Sequence, residues 1–81
     1  MTPLELRFHR ELYAGTAIDA ALVRLARFAR FERAEDGEYF VVRVDADDPV
    51  RMRRVAGELC NFALGLTRER GGPDPTRGPT P

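Results

Sequence analysis

Lysine and tryptophan are absent from this 81-residue chain, and cysteine and histidine occur once each. A lone Cys60 cannot form an intrachain disulfide. One His with one Cys falls short of the four ligands of a structural zinc site. Net charge is missing too: 13 basic residues, all Arg, meet 13 acidic ones. A basic excess is the usual footprint of a nucleic-acid-binding domain, and this chain has none. The N-terminus has no basic stretch followed by an apolar one, so no secretory signal is expected. Apolar runs extend over only a few residues, far short of the ~20 needed to span a bilayer. A cytoplasmic address is the resulting expectation.

The chain does have 43% hydrophobic and 32% charged residues, the balance of a soluble globular domain. A domain this small buries only about 60% of the surface its unfolded chain exposes. Disulfides, a metal or a partner usually make up the deficit. With the first two excluded by composition, a partner chain is the remaining remedy.

Residues 4–9 alternate strictly. Leu4, Leu6 and Phe8 share one face, and Glu5, Arg7 and His9 the other, which predicts a half-buried strand. Thr16-Ala17-Ile18-Asp19 matches a capping pattern, so Thr16 is expected to cap a helix of about 13 residues. Its apolar stripe is Ile18, Ala21, Leu22, Leu25, Phe28 and Ala29. Asp36-Gly37 lies between two strand-like runs, 30–35 and 38–45, and predicts a hairpin. A turn at that dipeptide sets Phe31 opposite Val42 and Glu32 opposite Val41. Phe31, Phe40, Val42 and Val44 then face the core. Arg33 joins them at the hairpin end, its stem lying beside Phe40. Asp48-Pro49 predicts the start of a second helix, with Asp48 as N-cap. Met52, Val55, Leu59, Phe62 and Leu66, widened by Ala56 and Ala63, form its stripe, and it ends near Arg70. Gly57 and Gly65 within it mark either close packing or plain tolerance. Residues 71–81, rich in Pro and Gly, read as a disordered tail after a single domain over 1–70.

The expected architecture is α+β, a β-α-β-β-α two-layer sandwich. Two helices cover one face of a three-stranded sheet of order 1-3-2, with the most apolar strand, Tyr39 to Val44, in the centre. The crossing between the first two strands, parallel to each other, is expected to be right-handed. This is a ferredoxin-like half that lacks a final strand.

Candidate chemistry is sparse. His9 has no nucleophile near it in sequence and reads as a surface residue. Cys60 borders an apolar stripe and reads as a small hydrophobe. Asp45, Asp47 and Asp48 fit helix capping better than cation binding. The Arg24, Arg27, Arg30 and Arg51, Arg53, Arg54 clusters fit solvated helix surfaces better than phosphate contacts. Nothing in the residues supports an enzyme, a cofactor or a metal. The most informative group is Tyr39, Val41 and Ala34, on the sheet face away from the helices. Either this is a modestly apolar exposed sheet or it is a partner surface, to which Arg43, Arg7 and His9 contribute.

From Leu6 to Arg68 the layout resembles the HxsD-like family of the His-Xaa-Ser peptide maturation systems. The resemblance is carried by Tyr13, Ala17-Ile18-Asp19-Ala20-Ala21, Tyr39-Phe40-Val41-Val42-Arg43-Val44, Asp48-Pro49 and Glu58-Leu59-Cys60-Asn61. That family carries an aromatic, then Asn and Glu, in the last helix. Here Leu59 stands at the aromatic position, Asn61 fits, and Phe62 takes the place of the acid. The resemblance implies a setting beside radical-SAM enzymes that modify a ribosomally made peptide. One Cys cannot hold the three-cysteine cluster of such an enzyme. The implied role is therefore a non-catalytic accessory protein that binds the enzyme or its precursor peptide, on the sheet face or along a strand edge. The alternatives are a homodimeric structural or regulatory module and, behind it, an Arg-based nucleic-acid-binding domain.

Overall fold

A computed structural model describes residues 2–73. The elements are β1 (Leu4–His9), α1 (Gly15–Leu25), β2 (Arg30–Asp36), β3 (Tyr39–Asp45) and α2 (Pro49–Glu69). The sheet order is β1-β3-β2, and β3 is antiparallel to both neighbours. The expected α+β order and central strand are therefore present, with β1 and β2 parallel to each other. Residues 74–81, most of the expected tail, lie outside the described residues.

Period-two alternation sends Leu4, Leu6, Phe8, Phe40, Val42, Val44 and Phe31 toward the helices. Ile18, Ala21 and Leu25 of α1 meet them from one side, and Met52, Val55, Leu59 and Ala63 of α2 from the other. α2 packs on β1 and β3. α1 sits toward β2, tied there by Arg33 and Asp19, whose Nε and Oδ1 are 2.6 Å apart. That Nε is buried and off the line of a hydrogen bond, so the contact is ionic rather than directional.

The hairpin differs from the expected register by two residues. Asp36 pairs with Tyr39, and Phe31 with Val44, so the loop is Gly37-Glu38. Gly37 alone takes positive φ, +59°, as a type II′ turn requires of its first central residue. Asp36 becomes the last residue of β2. A shift of two preserves the faces, so Arg33 still meets Phe40, with its guanidinium 5.2 Å from the ring centre.

The helix starts differ from each other. Asp48 caps α2, its Oδ1 accepting the Arg51 N–H at 2.8 Å. Thr16 does not cap α1, which has 11 residues and begins two residues earlier than that cap implies, with Ala14 at the N-cap and no side-chain bond. Gly15 fits closely there: a Cβ would stand 3.1 Å from Phe40 and 3.2 Å from Arg33, so those side chains would have to give way slightly. The Ala14 N–H is satisfied from the far end of the chain. It donates to Thr67 Oγ1 at 3.1 Å, and that hydroxyl donates to the Ala63 carbonyl at 2.6 Å. Thr67 is only 2% exposed. Just beyond it α2 ends in a Schellman motif. Gly71 has φ +89°, Gly71 N–H donates to the Arg68 carbonyl, and Gly72 N–H to Thr67.

Two aromatics expected in the core are partly outside it. Phe28 falls beyond the end of α1, and Phe62 lies at the margin of the α2 stripe under Arg24, 5.7 Å from its ring centre. At Gly57 and Gly65 a Cβ would meet nothing within 4 Å, so tolerance is the correct reading.

Two expectations follow. Thr67→Val leaves the buried Ala14 N–H without a partner and lowers unfolding free energy by about 1–3 kcal/mol in urea titration, whereas Thr67→Ser keeps most of it. Gly57→Ala raises it by about 0.5–1 kcal/mol.

Candidate functional site

The face turned away from the helices has no second layer among the described residues. Three rows cross it, each made of residues directly opposite one another on β1, β3 and β2. They are Glu5-Arg43-Glu32, Arg7-Val41-Ala34 and His9-Tyr39-Asp36. All six residues expected at a partner surface therefore stand together on one face.

Their surroundings differ from the expected apolar patch. Arg43 lies between two carboxylates, 3.6 Å from Glu5 and 3.7 Å from Glu32. Arg7 reaches over the central strand. Its Nη2 donates to Asp36 Oδ2 at 2.8 Å, and its Nη1 to Glu5 Oε2 at 3.3 Å. On the way its guanidinium passes 4.9 Å from the Tyr39 ring centre. The Asp36 hydrogen bond raises the Arg7 pKa, aided by Glu5 and opposed by desolvation. Beneath this arrangement Val41 is only 8% exposed, while Tyr39 keeps 36%. The result is a depression of about 480 Å³, floored by Val41 and Ala34 and walled by Arg7, Asp36, Arg43 and Glu32. Charge is what the surface offers, with Tyr39 as its one large ring. Sequence spacing placed these residues on the face; it could not show that an Arg side chain would lie across Val41.

His9 stands edge-on to Tyr39, ring centres 5.0 Å apart, and its Nδ1 accepts the Glu11 N–H at 3.1 Å. The three acids at and just after the end of β3 do separate jobs: Asp45 and Asp47 each lie 3.4 Å from Arg30, and Asp48 caps α2. No group of three or more His, Cys, Asp or Glu among the described residues is placed to hold a metal ion. Cys60 is half-buried, and burial pushes its thiol pKa up. No helix of the described residues is long and apolar enough to cross a membrane.

Two features were not legible in the sequence. One is a second depression of about 470 Å³ where α1 ends and α2 begins. Phe28, Val50 and Val55 line it with Arg51, Arg54 and Glu58. Its signal was Phe28 itself, three residues past the last buried position of α1. The other is a charged clasp on Phe40. Arg10 and Arg33 lie 4.6 and 5.2 Å from its ring centre. Both bind Glu35, and Arg10 Nε also donates to the Gly37 carbonyl at 3.0 Å. The clasp joins the end of β1 to the hairpin and covers an aromatic at the core's rim.

No protein-family model, curated protein or solved structure matches this chain. The fold and the surface chemistry are therefore the grounds for a functional reading.

The clasp gives a pH dependence. Hydrogen bonds from Arg10, then Arg33, hold the Glu35 carboxyl below its ordinary 4.5. A depressed carboxylate stabilises the fold above its unfolded pKa, and that contribution is lost as pH falls through the folded one. Wild type is thus expected to exceed Glu35→Gln in urea midpoint at neutral pH, and the gap to close below about pH 4.

Proposed function

We propose that this chain is a non-catalytic accessory module that docks a protein or peptide partner on its open sheet face. The observation that carries the reading is the uncovered face itself, where Tyr39 and Ala34 remain accessible among charged walls. Carboxylates Glu5, Glu32 and Asp36 interleave with Arg7 and Arg43 there. A phosphate backbone meets repulsion at every second position of such a surface. A polypeptide carrying both signs of charge finds complements, and Tyr39 supplies a rigid ring for an apolar or cationic side chain. His9 is engaged by Tyr39 and the Glu11 N–H, which favours a positioning role over acid–base work.

The resemblance to HxsD-like proteins narrows the partner to a radical-SAM maturation enzyme or the precursor peptide it modifies. Titration calorimetry with a radical-SAM maturation enzyme and with a precursor peptide of the His-Xaa-Ser type tests both. Binding of one of them, weakened at least about tenfold by Tyr39→Glu and by Arg43→Glu, supports the reading. Binding that survives both substitutions, or no binding to either, overturns it.

A further inference from the structure

The two outer strands of the sheet have different edges. On β2 the positions facing the helix layer end in Arg33 and Glu35, and Glu32 and Asp36 are exposed on the other face. Charges of this kind discourage a further strand. On β1 the same layer holds only Leu4, Leu6 and Phe8. Phe8 is buried, whereas Leu4 and Leu6 are only partly so. Among the described residues no strand pairs with the outer side of β1.

The helix above that edge is unfinished in the same direction. α1 lies against the flank of α2 that carries Phe62, as Arg24 over that ring shows. Measured in one sense round the helix from Phe62, Cys60 lies at about 160° and Leu64 at about 200°. Since α1 lies toward β2, this flank overhangs the outer edge of β1. It presents a half-buried thiol and a leucine 36% exposed.

We infer that a second copy of this chain pairs antiparallel along the outer edge of β1. The charge pattern selects both the occupant and the register. A two-fold axis at Leu6 sets Leu6 opposite Leu6, Leu4 opposite Phe8, and Glu5 opposite Arg7, each pair occurring reciprocally. A slip by one residue sets leucine against arginine. A slip by two, either way, sets Glu5 against Glu5 or Arg7 against Arg7. Only the Leu6-centred register matches apolar pairs on the helix side with opposite charges on the open side. The existing pairs of Glu5 and Arg7 leave capacity for this, because both side chains are 42% exposed and a guanidinium has five donors. The axis is normal to the sheet, so both helix layers fall on one side. The Cys60–Leu64 flanks then approach each other across it, and the two open faces become one.

Sedimentation equilibrium of the full chain tests this. Wild type is expected to be a dimer. Glu5→Arg and Arg7→Glu each set like charges opposite and weaken it about tenfold or more. The double swap, Glu5→Arg with Arg7→Glu, restores opposite pairs and recovers the dimer. Circular dichroism confirms that each variant is folded. A wild type that stays monomeric at about 1 mM overturns the inference. So does a dimer indifferent to the single swaps, or one that the double swap fails to rescue. Tyr39→Glu, which tests partner docking, leaves the dimer intact. If it instead dissociates the dimer, the contact lies on the open face and the inference falls.

Discussion

A three-stranded sheet with only two helices has one covered face, and its central strand must nevertheless be shielded on both. That constraint shapes the rest of the molecule. On the helix side β3 contributes Phe40, Val42 and Val44 to an ordinary apolar core. On the other side Val41 is nearly as well buried without any second layer of secondary structure. The cover is Arg7, stretched from β1 to Asp36 on β2 with its stem and guanidinium over the middle of the sheet. Long cationic side chains can hide apolar surface while keeping their heads wet. A chain that uses Arg for every cation has the planar, multiply donating head suited to that task.

This division separates stability from recognition. Exposed ion pairs of this kind contribute about 0–1 kcal/mol each, so the open face adds little to folding free energy. The core between sheet and helices does most of that, helped by the Thr67 hydroxyl that links the last turn of α2 to the start of α1. The face is therefore free to vary in charge without unfolding the domain. What the ion pairs supply is order. Arg43 between Glu5 and Glu32, and Arg7 between Glu5 and Asp36, hold their side chains in place before any partner arrives. Preordered side chains lose less conformational freedom on binding.

Much of this could be read from the sequence, and the exceptions share a cause. Strict alternation in Leu4–His9, and the hairpin signal ahead of the apolar run Tyr39–Val44, indicated which side chains share a face, and Asp48-Pro49 located the start of α2. These signals are local. The hairpin loop moved to Gly37-Glu38 although Asp36-Gly37 carries the stronger turn signal, because one positive-φ glycine suffices for the turn adopted. The even shift kept every face assignment. Thr16 has the chemistry of a cap, yet the first turn is placed by Gly15 closing on Phe40 and by Thr67, 53 positions away from Ala14. Phe28 and Phe62 obey helical spacing, but the spacing does not say where α1 stops or how wide its contact with α2 is. Periodicity gives direction; the extent of cover depends on neighbours distant in sequence.

The same reasoning bears on why the two edges differ. β2 is held on its helix side by the Arg33–Asp19 contact and the Glu35 clasp, so its charged residues already serve the monomer. Removing them to make an apolar edge would open the rim over Phe40. β1 has no such duty along Leu4 to Leu6, and its apolar side chains reach a flank of α2 that α1 does not cover. In a domain with a single cysteine and no metal cluster among its described residues, leaving leucine half-wet is a standing cost of about 25 cal/mol for each Å² of apolar surface. A cost of that kind is relieved when the surface is covered by matching surface, and the alternation Leu-Glu-Leu-Arg-Phe is complementary to itself when reversed.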